Sequence, residues 1–196
     1  MNLDVVELFA GVGGFRVGLN DIKEFDKETG KAIENRDWNF VWANQYEPSY
    51  KTQDAYNCYV RRFDEEHTSN KDISKVDKDS IPDHSLLVGG FPCQDYSVAR
   101  SLKEEQGIKG KKGVLFWDIR DTLIAKETPF VLLENVDRLL KSPSNRRGKD
   151  FAVMLKTLDD LGYYVFWRVI NAADYSFPQK RKRVFIFAVK NNTKYA

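Results

Sequence analysis

The chain has 196 residues, enough for one compact domain with a sizeable core. At 42% hydrophobic and 31% charged residues its composition is that of an ordinary soluble protein and excludes intrinsic disorder. The formal net charge of +2 by itself says little about an acidic partner.

In chain order, LDVVELF reads as a buried strand, and the Gly-rich GVGG then opens a helix through Asn20. KEFDKETGKAIENRDW is a polar insertion expected to be exposed. NFVWANQ is the next strand, followed by a helix over Ser49–Phe63. HSLLVGG, PFVLLEN, YYVFWRVI and RVFIFAV continue the strands. Between them, VLFWDIRDTLIAKE and DFAVMLKTLDDLG carry apolar residues at three- and four-residue spacing, the mark of helices. Alternating strands and helices predict an α/β fold with a mostly parallel sheet and helices on both faces. The last two strands are joined by NAADYSFPQKRK, which holds no helix pattern, so antiparallel pairing is expected there.

The segment Asp95–Gly113 is long, charged and without apolar periodicity, as functional loops often are. Basic clusters lie at 100–112, 138–149 and 179–183; each is either a solvated loop or a nucleic-acid contact. The apolar runs are strand-length and too short for a bilayer, and MNLDVVELFAG lacks the pattern of a secretory signal, so a cytoplasmic protein without membrane association is expected. Only Cys58, Cys93, His67 and His84 are available as soft ligands, with no CxxC pair, so no metal is expected.

Four motifs and a single glutamate carry chemistry. FAGVGGFRVGL follows a strand and opens a helix. Its glycines at 11, 13 and 14 let backbone approach a ligand, and the helix start offers amides to an anion. Such a turn holds either a dinucleotide pyrophosphate or the methionyl end of S-adenosylmethionine. Glu47, just past a strand, suits ribose hydroxyls, although an isolated exposed glutamate is commoner. GGFPCQDYS sets Cys93 at a strand tip, where a thiolate nucleophile is better placed than a packing cysteine. LLENVD brings Glu134 to another strand tip, giving an acid to work with the thiol. Arg181 and Arg183 of QKRKR alternate just before the last strand and suit a phosphate or a base carbonyl. Cys58 sits in a helix among aromatics and reads as packing.

The ordered set FAGxGG, Glu, DI, PCQ, ENV and QxRxR, from Val5 to about Val189, resembles the cytosine C5-methyltransferase family. The resemblance implies a Rossmann-like S-adenosylmethionine-dependent methyltransferase fold. It implies that Phe9, Gly11, Val12, Gly13 and Gly14 line the cofactor pocket. Glu47 would bind the ribose with Pro48 beside it, and Asp72 and Ile73 would meet the adenine. Pro92 and Leu115 would complete that pocket. Cys93 would be the nucleophile and Glu134 the acid, while Arg183, supported by Arg181, would hold the base. Gln94, Ser97, Asn135 and Gln179 would touch the substrate, which is double-stranded DNA.

The chemistry follows from cytosine. Carbon 5 is too weak a nucleophile to attack a sulfonium methyl until a thiolate adds to carbon 6 and breaks the aromaticity. A stacked ring cannot be reached, so the base must leave the duplex. A restriction-modification role is the expected setting. The chain departs from the family at Pro48, where an aromatic is common, at Lys112, where arginine is common, and at Asp95. Family members also continue into a target-recognition region and two further motifs, the last a helix beside the FAGxGG strand, whereas this sequence ends at KNNTKYA. The expectation is one catalytic domain over 1–196 that needs a second polypeptide or a missing C-terminal half, with apolar surface exposed on its FAGxGG face. The alternatives are methylation of a tRNA cytosine and a non-catalytic partner subunit. A nicotinamide dehydrogenase is excluded by the glycine spacing.

Overall fold

The computed structural model describes residues 3–91, 115–141 and 147–193. They fall in two compact units, Met1–Gly90 and Phe91–Ala196.

The first unit is built on β1 (Asp4–Leu8), β4 (Asn39–Asn44), β5 (Thr68–Ser69) and β6 (Leu86–Gly90), in the order β5-β4-β1-β6 and parallel at every pairing. β1 lies inside this sheet, and Val5, Val6 and Leu8 are wholly buried, as an inner parallel strand covered on both faces requires. Two helices serve the unit, α1 (Gly14–Asn20) and α2 (Asp54–Arg62). The α2 helix starts five residues later than its apolar spacing predicts. The Gln53 side chain explains the delay, because it ties up the preceding turn. Its Oε1 accepts from the Glu47 amide, and its Nε2 donates to the Glu47 and Tyr50 carbonyls.

The polar insertion is not a plain loop. It folds as an antiparallel hairpin of β2 (Ile22–Phe25) and β3 (Ala32–Glu34). Asp26 shapes its turn by accepting from the amides of Glu28 and Thr29. Arg16 of α1 holds the second strand with two bonds to the Glu34 carboxylate, both 2.8 Å. Strands of three or four residues are too short to announce themselves by alternation.

The second unit runs α3 (Phe116–Lys126), β7 (Phe130–Val136), a 3-10 turn at Asp137–Lys141, α4 (Lys149–Asp160), β8 (Tyr163–Asn171), a second 3-10 turn at Ala172–Tyr175 and β9 (Lys182–Lys190). Its strands are ordered β7-β9-β8, and β9 is antiparallel to both neighbours. The short return between the last two strands allows nothing else. On α4, Phe151, Met154 and Leu158 are buried at helical spacing, and the Phe151 ring meets Trp167 edge-on with centroids 5.4 Å apart.

Along β7, Val131, Leu133 and Asn135 are buried while the alternate residues are half-buried. In register with those alternates, Phe187 of β9 and Phe166 and Tyr164 of β8 are exposed. Among the described residues, β8 thus exposes Tyr164, Phe166, Trp167 and Val169, with Phe187 of β9 in register with Phe166. At the FAGVGG turn, where such surface is expected, Val12 and Val17 alone stand out. Among the described residues no helix is long and apolar enough to cross a membrane.

Candidate active site

The segment after β1 turns sharply because three alternate positions adopt left-handed backbone. Phe9 and Gly11 have positive φ of 55° and 56°, and Gly13 has φ 90° as it caps α1. Only at Gly13 does packing also exclude a side chain. A Cβ there would run into the Phe63 ring and stand 3.4 Å from Tyr59. A Cβ on Gly11 or Gly14 would meet nothing within 4 Å, so the ground above those two residues is open. The Val12 side chain beside them is 47% exposed. Phe9 lies across Gly89 of β6, whose own Cβ would sit 3.1 Å from the Leu8 carbonyl.

The amides of this turn are less free than a helix start suggests. Gly11 donates to Gln45 Oε1 at 2.8 Å and Gly13 to the Ala10 carbonyl at 2.8 Å. With seven residues, α1 also contributes only a small dipole. The turn is thus an open, backbone-lined shelf and not an anion cradle.

The remaining residues expected at the cofactor are spread along the sequence and differ in burial. Glu47 Oε2 accepts from the Ala55 amide at 2.9 Å and so caps α2, which engages one of its two oxygens. Pro48 is exposed. Asp72 caps the 3-10 turn Ile73–Lys75 by accepting from the Ser74 amide and hydroxyl, while Ile73 is 3% exposed and packed into the core. Leu115, in the second unit, is half-buried at the start of α3.

In the second unit the antiparallel pairing brings ENV and QKRKR together. Val136 is opposite Arg183 and Glu134 opposite Phe185, so Glu134 and Arg183 are diagonal neighbours on one face. Arg183 Nε meets Glu134 Oε1 at 2.6 Å, with both side chains 23% exposed. Asn135 points the other way and is buried. Its Nδ2 donates to the Phe91 carbonyl at 3.0 Å, and its Oδ1 accepts from the Val136 amide at 2.8 Å. It therefore fixes the chain immediately before Pro92 and Cys93. Arg181 and Gln179 are exposed in the approach to β9, and the Arg181 carbonyl accepts from the Ala172 amide. Pro92, Cys93, Gln94 and Ser97 lie outside the described residues, as does the whole of the expected loop at 95–113. Among the described residues no group of three metal-ligating side chains occurs. Cys58 is free and half-buried on α2.

Sequence reasoning missed several residues that hold the turn. Gln45 receives the Gly11 amide. Asn44, 1% exposed, donates to the carbonyls of Ser69 and Lys71 and so fixes the segment leading to Asp72. Both are polar residues closing an apolar strand, a detectable signal. Tyr59 of α2 and Phe63, which ends that helix, back the turn from below, which no local pattern announces.

Gly13→Ala should destabilise the first unit by about 2–4 kcal/mol, from the left-handed backbone and the blocked ring together. Gly14→Ala, in helical backbone with open space, should stay within about 0.5 kcal/mol of wild type. Urea unfolding followed by tyrosine and tryptophan fluorescence distinguishes the two; equal midpoints would contradict the packing described.

Over residues 3–196 the sequence matches the family described as C-5 cytosine-specific DNA methylase. Among its relatives is the type II methyltransferase M.Sau3AI of Staphylococcus aureus, 55% identical over 196 residues, which cover 99% of this chain and 45% of that protein. M.HhaI of Haemophilus parahaemolyticus is 32% identical over 190 residues, 97% of this chain and 50% of its own length. The chain thus spans about half the length of these relatives. Among solved structures, the S. pombe Dnmt2 methyltransferase superposes with a TM-score of 0.61 at 20% identity, over 97% of this chain and half of that one. Entamoeba histolytica EhMeth gives 0.66 at 18%, over 99% of this chain and 55% of that one. At such identities the likeness speaks for the fold alone, and that fold is the Rossmann-like one of methyltransferases. With the family match running the length of the sequence, the chain belongs to the C-5 cytosine-specific DNA methylases.

Proposed function

We propose that this chain is the catalytic part of a DNA cytosine C5-methyltransferase of a restriction-modification system, acting on a cytosine flipped out of double-stranded DNA. The observation that carries the reading is the Glu134–Arg183 pair at the tip of β7, beside the Asn135 bond that fixes the backbone next to Cys93.

The open shelf over Gly11 and Gly14, the exposed Val12 and the unengaged half of the Glu47 carboxylate fit S-adenosylmethionine. Gly11–Gly14 would lie along its methionyl part and Glu47 would accept from the ribose hydroxyls, with Asp72 and Ile73 near the adenine and Pro48, Pro92 and Leu115 around them. When bound, S-adenosylmethionine supplies an electrophilic methyl group. The chain's residues do the rest. The Cys93 thiolate adds to carbon 6, and Glu134 donates a hydrogen bond or proton to ring nitrogen 3, so that the electron pair is placed on carbon 5. Arg183 engages Glu134 Oε1 and orients the carboxyl, leaving the second oxygen for the ring. Once carbon 5 carries the methyl its proton passes to water, the carbon 5–carbon 6 double bond re-forms as the thiolate leaves, and any proton held at nitrogen 3 returns to Glu134. Asn135 acts as a positioning residue for the Cys93 segment, while Arg181, Gln179, Gln94 and Ser97 face the DNA.

Because the chain covers 45% of M.Sau3AI, we take full activity to need the remaining region, on the same polypeptide or a second one. The exposed aromatic face of β8 and β9 supports this, since such patches usually have a covering partner. The 196 residues alone should bind DNA weakly and in a salt-sensitive way, bind the cofactor feebly and methylate no specific site. Labelled S-adenosylmethionine offered with duplex DNA or tRNA, with and without a C-terminal half taken from a relative, tests the proposal. Site-specific labelling of DNA only when both halves are present is expected. Labelling of tRNA alone would assign a different substrate, and specific labelling by the single chain would refute the need for a second half.

A further inference from the structure

A buried acid lies under the cofactor shelf that the reaction does not use. Glu7 is on β1, two residues before the turn, and has no solvent exposure. Its Oε2 accepts from the Tyr59 hydroxyl at 3.1 Å, while Oε1 has no hydrogen-bond partner of normal geometry. Tyr59 belongs to α2, and the same ring backs Gly13. The other end of α2 is capped by Glu47. One helix therefore connects the ribose-side acid, the glycine turn and Glu7.

The groups that face Glu7 are few. From α2 comes Tyr59, and from α1 comes Arg16, with the Phe15 and Arg16 amides near the carboxyl without forming full bonds. Arg16 is itself committed to Glu34 of β3 and to Asp64, with its guanidinium over the Phe63 ring. Ala43 of β4 and Val88 of β6 flank Glu7 across the sheet and carry no charge. Resting on the reading of this turn as the cofactor shelf, we propose that Glu7 and Tyr59 form a proton-sensitive latch: protonated Glu7 keeps α2 seated against Gly13, and ionisation of Glu7 loosens the shelf.

The sign follows from linkage. Burial pushes the Glu7 carboxyl up to about 7, against the lowering effects of Tyr59 and Arg16. An opening of α2 that wets Glu7 returns it to the ordinary range near 4.5. The seated form thus binds the proton more tightly, and raising the pH between those values favours opening. Each pKa unit is a factor of about ten, so the effect approaches roughly a hundredfold or more. Removing the Tyr59 hydroxyl removes one group that lowers the Glu7 pKa, which carries the loss to still higher pH. Glu7→Gln keeps an acceptor for Tyr59 and deletes the titration.

Two readouts test the latch. In the 196-residue chain without ligand, hydrogen-exchange protection of the Gly13 and Val17 amides, which donate to the Ala10 and Gly13 carbonyls, should fall by roughly a hundredfold from pH 5 to pH 8. In Tyr59→Phe the fall should continue above pH 8, and in Glu7→Gln protection should be flat with pH. Binding of S-adenosylhomocysteine, measured on the chain completed by a C-terminal half, should follow the same three profiles. Parallel pH profiles in all three proteins overturn the latch. The predicted exchange profiles without S-adenosylhomocysteine binding at any pH would leave the latch in place and overturn the reading of the turn as the cofactor shelf.

Discussion

Cys93→Ser should reduce methyl transfer to the assay background while leaving cofactor binding unchanged. A serine hydroxyl is a far weaker nucleophile than a thiolate at neutral pH. The substitution removes one step, addition to carbon 6, and without it carbon 5 never becomes nucleophilic. Gly11–Gly14 and Glu47, the residues proposed to hold the cofactor, are unchanged in this variant. Measuring the methyl transfer rate and S-adenosylhomocysteine binding in parallel, with the completing half present, separates chemistry from binding. A serine variant that retains more than a trace of activity would assign the nucleophile elsewhere.

Glu134→Gln should lower kcat by roughly 100- to 10,000-fold, the usual contribution of a positioned acid, with DNA affinity nearly unchanged. Arg183 gives this prediction a second arm. Because Arg183 Nε is bonded to Glu134 Oε1 at 2.6 Å, the two side chains act on the ring as one unit. Arg183→Ala should cost a comparable factor by freeing the carboxyl to rotate. The double variant should then cost clearly less than the product of the two single losses. Strictly multiplicative losses would mean that Arg183 contacts the base independently, and a change confined to KM would give Glu134 a binding role.

Much of this site was legible in the sequence because chemistry at strand tips is ordered along the chain. PFVLLEN predicts a strand ending at Glu134, and β7 runs from Phe130 to Val136. The short return before RVFIFAV predicts antiparallel pairing, and that pairing sets Arg183 beside Glu134. What the spacing of QKRKR did not reveal is that Arg181 and Arg183 part ways, since one is exposed ahead of β9 and the other is held by an ion pair. The sequence offers Asn135 as a substrate contact, whereas alternation on β7 turns it inward, away from the face of Glu134.

The illegible parts depend on contacts between distant residues. An acid inside VVELF is visible in the sequence as an anomaly, yet its partner Tyr59 lies 52 residues away and in a different element. The start of α2 was misjudged because Gln53 spends its side chain on the preceding turn, a competition that apolar periodicity does not register. The hairpin at 22–34 was hidden by strands of four and three residues whose anchor, Arg16, sits in the helix before them. Glu47 shows the converse: its position at a strand end was readable, but its bond to the Ala55 amide, which caps α2, was not.

The covalent step is tested most directly by offering duplex DNA containing 5-fluorocytosine, together with S-adenosylmethionine, to the chain completed by a C-terminal half. Fluorine cannot leave carbon 5 as a proton does, so the adduct cannot collapse and the protein stays joined to the DNA. Digestion and mass spectrometry should place the nucleotide on the peptide containing Cys93. An adduct on Cys58, or methylation of ordinary cytosine with no adduct on its fluorinated counterpart, would contradict the account.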